Sequence, residues 1–146
     1  MKTGITLIFA VLLTGCSTPQ PWHPVIQSEF HSAILNADLV LLREPYLGEQ
    51  RGIIIHTVRN HRALHELYDS IIFVEHRQQV ERCWCSGYPV VEWYKGQGLL
   101  ARASIQHCDA IRWSGFTKGD MPLTQESQER LRSWLLSHGA QRKQLR

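Results

Sequence analysis

The chain has 146 residues, of which 43% are apolar and 20% charged, and its formal net charge is +3. These values suit one globular domain with a modest core. They exclude a strongly basic nucleic-acid binder, and the sequence carries neither an internal repeat nor a low-complexity segment.

Lys2 supplies a short positive segment, and Ile5 to Leu13 form an apolar run. That run falls short of the roughly 20 residues a helix needs to span a bilayer. With small residues at its end, it has the pattern of an export signal, so residues 1–15 are expected to be a removable signal peptide. Its loss would remove Lys2 and lower the net charge from +3 to +2. Ser17 to Pro24 hold three prolines and no apolar period, which predicts an extended tether. The body should be a single domain over 25–140, followed by a basic tail, 141–146, with Arg142, Lys143 and Arg146.

Within the body, Phe30, Ala33, Ile34 and Ala37 recur at helical spacing and predict a helix over Val25–Asn36. Leu39 to Leu42 read as a buried strand, Glu44 to Gly52 as a loop, and Ile53 to Ile55 as a β-branched strand. Asn60 stands at an N-cap position. Leu64, Leu67, Tyr68, Ile71 and Ile72 then form one stripe of a helix over about 61–72. A meander of about four antiparallel strands follows over residues 80–113. Its strands are Val80–Cys85, Pro89–Tyr94, Leu99–Gln106 and Ala110–Trp113, separated by turns at Ser86-Gly87, Lys95–Gly98 and Cys108-Asp109. Thr124 caps a C-terminal helix over 124–138, with Leu131, Trp134, Leu135 and His138 on one face and Gly139 just past its end. The expected fold class is α+β, with helices on one face of an antiparallel sheet.

Leu13-Thr14-Gly15-Cys16 resembles the bacterial lipobox. The resemblance implies cleavage before Cys16, thioether attachment of diacylglycerol to its sulfur, and acylation of the new amine. Residues 16–24 would then be the lipidated Cys and its Pro-rich tether. Several acyl chains hold a protein on a bilayer far longer than one. Ser17 follows where Asp marks inner-membrane retention, so the resemblance implies the outer membrane, facing the periplasm.

Lipidation of Cys16 leaves Cys83, Cys85 and Cys108 in an oxidising compartment, an odd number. On a strand, Cys83 and Cys85 share a face, and a returning hairpin could bring His107 and Cys108 near them. Two readings stay open. One is a disulfide from Cys108 to Cys83 or Cys85 with one buried thiol left over. The other is a zinc or thiol-redox centre built from Cys83, Cys85, Cys108 and His107. The C-x-C spacing is less usual for structural zinc than C-x₂₋₄-C. His61 and His65 are i, i+4 on one helical face, with His56 nearby in sequence, but the H-E-x-x-H pattern is not met and Arg59 and Arg62 flank them. Arg112-Trp113, with Trp93 and Asp120, is a candidate anion or partner contact. Arg112 could equally be structural, paired with Asp109 or Asp120.

Residues 82–139 resemble a small bacterial domain with the pattern C-x-C-x-G, a hairpin, His, Arg-Trp, and a final helix ending Trp-Leu-x-x-His-Gly. The matching residues are Cys83, Cys85, Gly87, His107, Arg112, Trp113, Leu123, Thr124, Trp134, Leu135, His138 and Gly139. Related sequences carry two histidines and a glycine where this chain has Gln106-His107-Cys108. The resemblance implies no particular activity. With no nucleophile elbow, phosphate-binding loop or dinucleotide fingerprint, the sequence points to a non-enzymatic, membrane-tethered binding module with an envelope protein as partner. Metal binding or thiol redox chemistry is the alternative.

Overall fold

The computed structural model describes residues 23–45, 50–74, 84–115 and 119–145. Within them the chain is α+β: helix α1 (His23–Ile34), strands β1 (Leu39–Arg43) and β2 (Ile54–Val58), helix α2 (His61–Asp69), strands β3 (Val90–Lys95), β4 (Gly98–Gln106), β5 (Ala110–Trp113) and β6 (Met121–Pro122), and helix α3 (Gln125–Ser137). All six strands join one antiparallel sheet in the order β2-β1-β3-β4-β5-β6.

The sheet is therefore larger than the expected four-stranded meander. The hairpins β3–β4 and β4–β5 are present as expected. The apolar run Leu39–Leu42 becomes the second strand of the sheet, because β1 pairs with β3, about fifty positions later in the chain. Of the expected strand Val80–Cys85, residues 80–83 lie outside the described residues, and Trp84 and Cys85 lie in a bend.

Alternation sorts the strands into two faces. Val40, Leu42, Val91, Trp93, Ala101, Ala103, Ile105 and Ile111 meet Phe30 of α1, Leu67 of α2 and Leu131 and Leu135 of α3 in one core. Phe30 sits at its centre, edge-on to Phe73, Trp93 and Trp113 at ring distances of 5.6, 5.6 and 5.3 Å. Such pairs each add about 0.5–1.5 kcal/mol beyond area burial.

Both expected N-caps are formed. Asn60 accepts from the backbone N–H of Ala63, and Thr124 from that of Ser127. Helix α2 stops at Asp69, short of the expected 72, because Ser70 and Ile72 find other partners. The Ser70 hydroxyl donates to the Leu67 carbonyl, and the Ile72 N–H donates to Oγ of Ser127 in α3. The Ser127 hydroxyl in turn donates to the Ser70 carbonyl. Phe73 then bridges to Leu123, beside β6.

Candidate functional site

The face of the sheet opposite the core is polar. Its centre is Glu92 on β3, which is fully buried although it lies on that face. Its Oε2 accepts from Nε of Arg43 at 2.8 Å and from the Tyr94 hydroxyl at 2.8 Å, and its Oε1 accepts from Nε of Arg102 at 2.9 Å. Arg102 lies directly across from Glu92 on β4, and Arg43 diagonally across on β1. Arg43 also donates to the Gly52 carbonyl, which ties the β1–β2 connection to this cluster. Burial, then the hydrogen bond to Glu92 and its charge, push the Tyr94 hydroxyl above its ordinary range. A carboxylate that accepts from two guanidiniums and a phenol is a structural charge rather than a poised base.

Arg112 is held in the same manner. Its Nε and Nη2 donate to the two oxygens of Asp120 at 2.7 and 2.9 Å, and Nη1 donates to the Cys85 carbonyl at 2.9 Å. Trp113, the next residue on β5, points to the other side and packs against Phe30. The expected Arg112-Trp113 contact site is thus divided between the two faces of the sheet, and Trp93 is buried in the core.

The cysteines are also dispersed. Cys16 and Cys83 lie outside the described residues. Cys85 is disulfide-bonded, and its Sγ lies 2.7 Å from Oε1 of Gln106. Cys108 is a free thiol with no exposure, so it is not the disulfide partner that the spacing suggested. Burial pushes its thiol above the ordinary range, and the nearby Arg132 offsets this only in part. His107, beside it, faces solvent. Both residues have positive φ, 49° and 61°, in a turn closed by the Asp109 N–H donating to the Gln106 carbonyl. This is the type I′ geometry that glycine and asparagine ordinarily supply. Among the described residues, no group of three or more His, Cys, Asp or Glu is placed to hold a metal ion.

His61 and His65 are neighbours, with ring centroids 4.4 Å apart, beside an Arg62–Glu66 ion pair. His56 instead meets His138, whose ring stacks on Trp134. The three histidines therefore do not converge. His61 and His65 line a cleft with Leu35, Leu64, Tyr68 and Trp93. Its volume of about 40 Å³ holds a few waters, well short of the roughly 300 Å³ of small-molecule pockets.

Exposed apolar side chains are the other candidate feature. Trp84 is fully exposed, Ile53 is 79% exposed, and Leu35 and Ile54 also face solvent. Ile53 and Ile54 sit where the chain enters β2, the edge strand of the sheet. Sequence reasoning marked this stretch as a strand without foreseeing that it ends the sheet. It also missed the Glu92 cluster, although a lone carboxylate in Val90-Val91-Glu92-Trp93 was a usable signal. Comparison with protein-family models, curated proteins and solved structures finds no match to this chain.

Proposed function

We propose that this chain is a lipoprotein of the bacterial envelope, anchored through acylated Cys16 in the outer membrane and facing the periplasm, whose α+β body is a non-enzymatic binding module for an envelope protein. The single observation that carries the reading is the run from Lys2 through the apolar segment to Leu13-Thr14-Gly15-Cys16. Two features of the body support it. Its charged side chains on the polar face are engaged with each other at Glu92 and Asp120, as in a scaffold. Its exposed large apolar side chains, among them Ile53, Ile54 and Trp84, are of the kind that partner surfaces bury.

Intact-mass analysis and fractionation of cells test the anchor. The expected product lacks residues 1–15, carries acyl mass on Cys16 and sediments with membranes, whereas Cys16→Ala stays unacylated and keeps its leader. An uncleaved chain without lipid would overturn the anchoring. The lipidated protein should also leave the membrane in a stoichiometric complex after cross-linking, and its recovery as a lone chain would count against the binding role.

A further inference from the structure

The two ends of the sheet differ in what they offer to another chain. Strand β2 lies at one end and, among the described residues, pairs with β1 alone. An edge strand directs alternate N–H and C=O groups away from its sheet, where they can template a further strand. Proteins ordinarily blunt such an edge with Pro, Lys or a bulge. Here Ile54-Ile55-His56-Thr57-Val58 holds neither Pro nor Lys. The register skips Ile55, since Leu42 pairs with His56 and Arg43 with Ile54; this one bulge lies within β2, and the pairing of His56, Thr57 and Val58 beyond it is regular. Ile53 is 79% and Ile54 45% exposed, and His56 and Thr57 also face solvent.

Charge decides between the candidate occupants. Arg51 and Arg59 are both exposed and stand at the two ends of this strand segment. A second copy lying antiparallel along β2 would bring the arginine at each end of one copy towards the arginine at the facing end of the other. Like charges directly opposite are unfavourable. An extended segment with an apolar, β-branched centre and a carboxylate at each end would place opposite charges there instead. Its side chains would alternate between the two faces of the sheet, so that its apolar centre flanks Ile53 on one face and Ile54 on the other.

We propose that β2 is a docking edge that accepts an extended protein segment as a seventh, antiparallel strand, and that this segment carries acidic residues at both ends of an apolar centre. The inference rests on the binding-module reading and names the partner's chemistry. Main-chain hydrogen bonds along β2 supply affinity, and Arg51 and Arg59 set selectivity and register.

The test uses the full-length chain in detergent micelles and a synthetic peptide of alternating Val and Thr with Asp at both ends, long enough to reach from Arg51 to Arg59. Peptide-dependent protection from hydrogen exchange should appear at residues 54–58 and leave α3 unchanged. Reversal of both ends, Arg51→Glu with Arg59→Glu, should weaken binding about tenfold, as expected for two exposed charge pairs. The same variant should prefer a Lys-ended version of the peptide. These arginines are exposed, so the variant folds as the parent does, which far-ultraviolet circular dichroism verifies. No protection at 54–58, or equal binding by the reversed variant, would overturn the proposal. Concentration-dependent protection of β2 without peptide would do so as well, because it would assign the edge to a second copy. A stoichiometric membrane partner recovered alongside an unprotected β2 would leave the binding role standing and defeat this edge alone.

Discussion

The sheet ends in two unlike strands. At the β6 end, Met121 and Pro122 are buried, and the strand is two residues long. The segment after α2 covers it: Phe73 bridges Leu123, the Val74 N–H donates to the Pro122 carbonyl, and the Thr124 N–H donates to the Ile72 carbonyl. Gln27 of α1 holds the same segment from the other side, accepting from the Phe73 N–H and donating to the Ile71 carbonyl. At the β2 end, the strand is mostly exposed and begins beside an isoleucine that is 79% exposed. One edge is closed by backbone and side-chain partners drawn from both neighbouring helices. Among the described residues no further strand pairs with the other, and an uncovered apolar edge is a hazard unless it has an occupant.

Four substitutions or conditions bear on that contrast. The largest effect is expected for Phe73→Ala at the closed edge. The ring is 3% exposed and packs edge-on against Phe30, so its loss should cost about 3–5 kcal/mol by urea unfolding. A loss under about 1 kcal/mol would mean that this edge is not sealed by packing.

Next is Ser127→Ala, which removes the acceptor for the Ile72 N–H and the donor to the Ser70 carbonyl. Leaving buried groups without partners should cost about 1–3 kcal/mol. An unchanged unfolding midpoint would contradict the role of Ser127 as the clasp between α3 and the end of α2.

His31 makes the closed edge sensitive to acid. Its Nε2 lies 2.9 Å from the Ile71 carbonyl, and its ring packs on Tyr68. Burial lowers its pKa below the ordinary 6.5, with Ile71 and Asp69 offsetting this in part. The unfolded chain therefore takes up the proton first as pH falls. The contribution of His31 is whole above about pH 6.5 and is lost as pH drops through the window below it. Unfolding free energies measured across that window should fall with acid in the native chain and fall less in His31→Gln. Equal slopes would remove His31 from the account.

The smallest effect belongs to the open edge. Ile53→Lys should change stability by no more than about 0.5 kcal/mol, because the side chain touches little that folding buries. A large destabilisation would show that the β2 end is covered after all.

Much of the local structure was legible because it is written locally. Asn60 and Thr124 announce the starts of α2 and α3 by capping chemistry, and Lys95–Gly98 announces the β3–β4 hairpin by its glycines. The rest depends on contacts distant in sequence. The placement of β1 beside β3, the end of α2 at Ser70 and the two-residue β6 all follow from partners many residues away. Periodicity also continued the stripe of α2 into Ile71 and Ile72, where tertiary hydrogen bonds displaced the helix. For the candidate site, adjacency in sequence misled. Arg112 and Trp113 are neighbours in the chain and lie on opposite sides of a strand, while His107 and Cys108 are divided by a turn between solvent and core. The β2 edge was legible as a strand, but its place at the sheet's end follows only from pairing.

The most direct test of the open edge is site-specific photo-cross-linking in living cells. A photoreactive residue at Thr57, on β2, should give one discrete adduct with an envelope protein, and Arg51→Glu with Arg59→Glu in the same chain should abolish it. The same residue at Glu126, exposed at the start of α3 beside the β6 end of the sheet, should give none. No adduct from Thr57, or one that persists undiminished in the charge-reversed chain, would contradict the account.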